Sequence, residues 1–230
     1  MSDVYPRFQA VVLAGGFGTR LSSVSGETPK PMMPVGGIPF IYHVLRRLEA
    51  CGAKLIVLAL HYKADQMIEK IQSDNPVGCD IKFSVEQTPL GTGGAIKQAA
   101  TMLTDESFLV VNGDTYLDID FYDLVQASAG HQLFMGAVQV NDRSRYGAIR
   151  LSKSGGVQFL GKGFSSSGPI NSGAYVVTRS SILSEAADQF AFEEDYAQNF
   201  LGTFGAKIYD AQFVDIGVPE DYFNAIGIFE

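Results

Sequence analysis

Apolar and polar positions fall into two regimes along the 230 residues. In the first, residues 8–14 form a charge-free, β-branched run that reads as a buried strand. Residues 38–51 place Ile41, Val44, Leu45 and Leu48 at i, i+3, i+4 and i+7, one face of a helix. The run KLIVLAL (54–60) predicts the next strand, followed by a polar-faced helix near 64–73. A strand at 81–86, a helix over 93–103 and a strand at 107–112 complete this half. In that helix Ile96, Ala99, Ala100 and Leu103 share a face. Continuous apolar strands separated by helices predict a parallel sheet covered on both faces.

From residue 131 the helices thin out. Strands are predicted at 133–140, 146–152, 156–162 and 172–178, with a hairpin turn at SKSGG (152–156). Helices return at 179–187 and 192–201, then strands at 206–210 and 212–217. A last helix opens at Pro219, with Glu220 and Asp221 where the helix dipole favours acids. The expectation is one α/β domain over 1–230: a nucleotide-type half to about residue 130, then a more antiparallel lobe.

Charge narrows the partners. The net charge of −8 argues against a general nucleic-acid or acidic-membrane binder, although a few cations and backbone N–H groups can still hold an anionic small molecule. Cys51 and Cys79 form no CxxC pair, which fits a reducing compartment. No basic, then apolar leader is read at the start, and the apolar stretch at 55–60 is far below the ~20 residues of a membrane helix. A soluble, cytoplasmic protein is expected. His43, His61 and His131 read as helix-face, strand-end and loop residues without metal-ligand spacing, and the phenylalanines read as core.

The candidate chemistry begins at LAGGFGTRL (13–21). After a strand, such glycines let the backbone approach an anion and aim N–H groups at it. A dinucleotide fingerprint requires glycine where Leu21 stands, and a Walker loop requires G-K-[ST], which does not follow. The second strand also ends in His61 and Lys63 rather than a ribose-binding acid, against a dinucleotide-dependent oxidoreductase. Lys30 stands between Pro29 and Pro31, a stiff setting for a merely solvated lysine. Asp114 and Asp215 each follow or end a strand and could meet at one sheet edge, where two carboxylates suit Mg²⁺. Either could instead form a turn or cap a helix.

Together, LAGGFGTRL…PKPMMPVGGIP, EQTPLGTGGAI (86–96), FLVVNGDTYLDID (108–120), RYG (145–147), INSGAYVV (170–177) and VDIGVPEDY (214–222) resemble the sugar-phosphate nucleotidyltransferases, in that family's order and across residues 8–225. The resemblance implies a Rossmann-like, mostly parallel sheet flanked by helices, with a sugar-binding lobe after about residue 130. It implies transfer of a nucleotidyl group from a nucleoside triphosphate to a sugar 1-phosphate, with Mg²⁺ and release of pyrophosphate. In that scheme Leu13, Ala14, Gly15, Gly16, Gly18 and Thr19 wrap the triphosphate. Arg20 stabilises the leaving pyrophosphate, and Lys30 bridges the α-phosphate and the sugar phosphate. Gln87, Gly91 and Thr92 face the nucleotide, Asn112, Gly147, Lys162 and Asn171 the sugar, and Asp114 and Asp215 bind the metal. Read without the resemblance, Lys162 is equally a strand-edge charge and Asn171 a turn residue. The sequence departs from many relatives at Gly161, where they carry Glu before the lysine, so the sugar need not be glucose.

Within the family, the text most resembles the enzymes that transfer guanylyl groups to D-glycero-α-D-manno-heptose 1-phosphate, which serve surface polysaccharide synthesis. Mannose 1-phosphate guanylyltransferases are neighbours, and glucose 1-phosphate uridylyl- or thymidylyltransferases a further alternative. No hexapeptide repeats follow AIGIFE (225–230), so a compact monofunctional enzyme is expected. Compact domains of this sort often form homodimers, and the sequence leaves that open. A non-catalytic nucleotide or sugar sensor would not require Arg20, Lys30, Asp114 and Asp215 together.

Overall fold

The computed structural model describes residues 7–152, 155–201 and 203–229, apart from the side chains of Thr19 and Ser22. The first half runs β1 (Phe8–Leu13), α1 (Ser22–Ser25), β2 (Pro34–Val35), β3 (Ile38–Pro39), α2 (Phe40–Ala50), β4 (Ala53–Leu60) and α3 (Ala64–Asp74). It continues through β5 (Asp80–Val85), α4 (Gly91–Ala100), β6 (Ser107–Asn112), β7 (Thr115–Leu117) and α5 (Phe121–Ala127). The second half holds β8 (Leu133–Val140), β9 (Ala148–Leu151), β10 (Val157–Gly161), β11 (Gly168–Thr178) and α6 (Arg179–Leu183). It ends with β12 (Gly205–Tyr209), β13 (Phe213–Asp215) and α7 (Pro219–Phe229).

Nine described strands form one sheet, whose path runs β10-β9-β11-β6-β1-β4-β5, with β8 beside β11 and β12 beside β8. The strands β6, β1, β4 and β5 are mutually parallel. From β11 outwards the pairing to β6, β8 and β9 is antiparallel. The mostly parallel sheet and its more antiparallel second half are as the pattern predicts. Alternation explains the two-sided cover: Ala10 and Val12 of β1 join the core under α2, α3 and α5, while Val11 joins the core under α4 and α6.

Several boundaries differ from the sequence reading. The helix expected at 93–103 begins at Gly91 and ends at Ala100, so the second glycine run lies in the helix's own first turns. The helix expected at 179–187 stops at Leu183. Beyond it the chain extends across α4, where Phe190 N–H donates to Leu90 O at 3.0 Å and Phe190 O accepts from Gly93 N–H at 3.0 Å. The helix expected at 192–201 is one wide π-turn, Phe192–Tyr196, followed by a 3₁₀ turn, Ala197–Phe200. The wider turn lets Phe192 and Tyr196 both face the core, stacked 5.4 Å apart. The turn at 152–156 does close the β9–β10 hairpin, although Lys153 and Ser154 lie outside the described residues. The β2–β3 hairpin, β7 and α5 are additional elements, and α5 is capped by Asp120, which accepts from Tyr122 N–H at 2.9 Å.

The close docking of α4 depends on missing side chains. A Cβ on Gly93 would overlap the Phe190 ring, and one on Gly94 would overlap the Asp188 carbonyl. Gly93→Ala is expected to cost about 1–3 kcal/mol of unfolding free energy, the overpacking outweighing the gain in helix propensity. Gly227→Ala, on the exposed side of α7 with open space at the Cβ position, is expected to stabilise by up to about 1 kcal/mol. Urea unfolding of the two variants checks both signs; effects of equal sign would contradict this packing.

Candidate active site

The glycine loop leaves the carboxyl end of β1 and is gripped at its root by both neighbouring strands. Ala14 N–H donates to Ala59 O at 2.9 Å, and Gly113 N–H donates to Leu13 O at 2.8 Å. The loop passes into a 3₁₀ turn, Thr19–Leu21, where Leu21 is fully buried. The residue that breaks the dinucleotide fingerprint is thus the plug that holds this turn to the core. Gly18 allows the loop to lie against Lys30, since a Cβ there would come 3.0 Å from the Lys30 Cβ.

Lys30 begins a 3₁₀ turn between its two prolines, and only 8% of it is exposed. Its ammonium donates to Asp114 Oδ2 at 2.5 Å and lies 4.0 Å from Asp215 Oδ1. The two aspartates come from distant segments joined by one small sheet. Thr115 of β7 pairs with Asp215 of β13, and Ile216 N–H donates to Asp114 O at 3.1 Å. Asp215 also accepts from Gly217 N–H at 2.7 Å. Burial pushes the Asp215 carboxyl above the usual carboxylate range, and the nearby Asp114 charge adds to this, while Lys30 pulls the other way.

Two cavities that share part of their lining open here. The smaller, about 200 Å³, is lined by Leu13, Ala14, Gly16, Gly18, Arg20, Lys30, Pro31, Asp114 and Gly217. The larger, about 360 Å³, shares Leu13, Gly16 and Asp114 with it and adds Gly15, Ala59, His61, Glu86, Gly91, Thr92 and Asn112. Both cations of the site, Arg20 and Lys30, line the smaller cavity, and the larger one is walled mainly by apolar and hydrogen-bonding groups. An elongated anion fits this division, with its charge in one compartment and its uncharged part in the other.

Not every residue named from the sequence lies in these walls. Gln87 is exposed beside the larger cavity, and its neighbour Glu86 lines the wall instead. The side chain of Thr19 lies outside the described residues. Gly147 and Asn171 meet through Asn171 N–H to Gly147 O at 2.9 Å, away from both cavity walls. The Asn171 amide instead donates to Tyr175 Oη and Glu193 Oε1, each at 2.6 Å. Lys162 is exposed just past the β9–β10 hairpin. Gly161 has φ +86°, a backbone conformation that a glutamate would adopt only with strain. The RYG segment acts as a tie: Arg145 donates to Asp221 in the first turn of α7, and Tyr146 packs edge-on to Phe213 at 5.3 Å.

Sequence reasoning missed His61, Glu86 and Phe17. His61 does end a strand, as read, but its ring lines the larger cavity and its Nδ1 lies 3.1 Å from Glu86 O. Phe17 is not core: it is 57% exposed at the cavity mouth, edge-on to His61 at 5.5 Å. Its place between the loop glycines was the available signal.

The comparisons with known proteins agree with this geometry. Residues 9–227 match the nucleotidyl transferase family. The chain is 39% identical over 220 residues to a D-glycero-alpha-D-manno-heptose 1-phosphate guanylyltransferase of Campylobacter jejuni, covering 94% of this chain and 97% of that one. An enzyme of the same name from Aneurinibacillus thermoaerophilus is 36% identical over 222 residues, covering 94% and 96%. The crystal structure of HddC from Yersinia pseudotuberculosis superimposes with a TM-score of 0.91 at 42% identity, over 97% of this chain and 100% of that one. The same protein has been solved complexed with GMP-PN. A glycine loop, a buried lysine and two strand-end aspartates thus occur in a chain that belongs to the nucleotidyl transferase family.

Proposed function

We propose that this protein transfers the guanylyl group of GTP to D-glycero-α-D-manno-heptose 1-phosphate, releasing pyrophosphate and supplying a nucleotide sugar for surface polysaccharide. The observation that carries the reading is the Lys30 ammonium, buried in the wall of the smaller cavity and flanked by Asp114 and Asp215. Near-complete coverage of both heptose guanylyltransferases supports the choice of base and sugar.

An oxygen of the sugar phosphate attacks the α-phosphorus, and the bond to the β-phosphate oxygen breaks in line. The nucleophile is already an anion, so positioned cations matter more than a general base. Lys30 is pre-set by its carboxylate partner and its proline-bounded turn to face both the α-phosphate and the incoming phosphate. Arg20, exposed and without a carboxylate partner among the described residues, is free to meet the departing pyrophosphate. The glycine loop supplies backbone N–H groups to the triphosphate. Asp114 and Asp215 fit Mg²⁺: they are hard oxygen donors that already share one cation, and Mg²⁺ needs few protein ligands. When bound, Mg²⁺ would neutralise phosphate charge. Among the described residues no group of three or more His, Cys, Asp or Glu forms a cage.

A panel of GTP, UTP, dTTP, CTP and ATP against heptose, mannose and glucose 1-phosphates, followed by pyrophosphate release with Mg²⁺, tests the proposal. GTP with the heptose phosphate is expected to give the highest kcat/KM. A higher value for dTTP or UTP with glucose 1-phosphate would remove the guanylyl reading. No release from any pair would leave only a sensing module.

Lys30→Ala should lower kcat by about 10²–10³-fold, since it removes a charge that acts on the reacting phosphates. An unchanged rate would take Lys30 out of the chemistry. Asp215→Asn tests the cost of the carboxylate pair. A carboxyl raised above its unfolded value stabilises the fold fully below the unfolded value and loses that contribution as pH rises through the folded one. In metal-free buffer Asp215→Asn should therefore melt higher than the parent at neutral pH. The advantage should shrink to nothing below the carboxylate range, even as the variant loses turnover. A variant that melts lower at neutral pH would contradict this electrostatic account.

A further inference from the structure

Two described residues other than glycine have a left-handed backbone, and they bracket α3: Lys63 (φ +52°) precedes it and Asn75 (φ +46°) follows it. Asparagine adopts that conformation readily. A long side chain does so with strain, which persists only where the surroundings hold it in place. What holds Lys63 is a contact across the chain. Its ammonium donates to Glu27 O at 2.5 Å and lies 3.4 Å from Glu27 Oε2. The Glu27 side chain is 97% exposed, and such surface ion pairs contribute little, so the main-chain carbonyl is the anchor. The same ammonium stands 5.6 Å from the centroid of the Tyr62 ring.

Glu27 shortly precedes Lys30, in a stretch that can donate few backbone hydrogen bonds. Pro29 and Pro31 have no N–H, and Thr28 N–H closes a local turn on Ser25 O at 2.9 Å. The residue beside Lys63 grips the other end of the same loop: Tyr62 N–H donates to Gly15 O at 3.3 Å, and its ring lies 5.5 Å from that of Phe17. Tyr62 and Lys63 thus hold both ends of the segment that delivers Arg20 and Lys30, although Lys63 lines neither of the two cavities. We propose that Lys63 is a positioning residue: through the Glu27 carbonyl it sets the turn from which the Lys30 ammonium meets the reacting phosphates. The inference rests on the role given to Lys30 above and adds what holds that lysine in place. A misplacement of ~1 Å can cost about 100-fold in rate, so a group outside the cavities can govern the chemistry within them.

The test uses Lys63→Asn, which removes the ammonium and accepts the left-handed backbone. Turnover is followed by pyrophosphate release with Mg²⁺, on the nucleotide and sugar phosphate that the parent turns over fastest. In Lys63→Asn kcat should fall about 10-fold while the melting temperature stays near the parent's. Lys63→Arg, which can also donate to the carbonyl, should restore kcat to within about threefold of the parent. Glu27→Ala keeps the carbonyl and should stay within about twofold. In a Lys30→Ala background Lys63→Asn should add less than about a twofold loss, because the group it positions is gone. A parental kcat in Lys63→Asn overturns the proposal. So does a Glu27→Ala or Lys63→Arg variant as slow as Lys63→Asn, or the full loss repeated on top of Lys30→Ala. Should Lys63→Asn melt well below the parent, Lys63→Gly takes its place in every comparison. A normal rate in Lys30→Ala refutes the chemistry given to Lys30, and this inference with it. A slow Lys30→Ala beside a normal Lys63→Asn refutes this inference alone.

Discussion

The contact on which the site depends is an ammonium placed between two carboxylates from distant parts of the chain. Lys30 sits in a proline-bounded turn, Asp114 after the central strand β6, and Asp215 101 residues later. Two such acids lie close together at a cost unless a cation stands between them, and the raised Asp215 carboxyl is the sign of that cost. Lys30 offsets part of it. The backbone contributes the rest of the geometry, since the β7–β13 pairing sets Asp215 opposite Thr115, the residue next to Asp114. The glycine loop, the buried Leu21 and the tie from Arg145 to Asp221 are arranged around this triad.

The division into two cavities follows from the same sheet. The cations come from the loop after β1 and the turn that follows it. The walls of the larger cavity come from the ends of β4 and β5 and from the start of α4. Parallel strands deliver these pieces to one edge because their carboxyl ends point the same way. Under the proposed function, a long anionic ligand would meet a different strand end along each part of its length.

Much of this was legible before any coordinates. Strands β1, β4, β5 and β6 announced themselves as apolar runs, and α2 by the spacing of Ile41, Val44, Leu45 and Leu48. Leu13, Gly16, Gly18, Lys30 and Asp114, taken from separate motifs, line one cavity, because motif order constrains which strand ends meet. What escaped had a physical reason. The turns around Phe192–Tyr196 are shaped by two aromatic rings seeking the core, which no period of 3.6 reveals. The helix α5 is short, and its signal was a single capping acid, Asp120, inside a stretch read for Asp114 as a metal ligand. Glu86 and Gln87 are adjacent letters in a strand end, where neighbours point to opposite faces, so a one-residue error exchanged a wall residue for a solvated one.

The seat of Phe190 against Gly93 has an evolutionary consequence. The helix that walls the larger cavity belongs to the first half of the chain, while the aromatic ring that fills its glycine surface belongs to the second. Recombination between relatives at the midpoint would join one lineage's glycines to another's ring, and the seam would run along the helix that walls the larger cavity. The two halves of the chain are therefore matched at this contact, and a change on one side of it requires a change on the other.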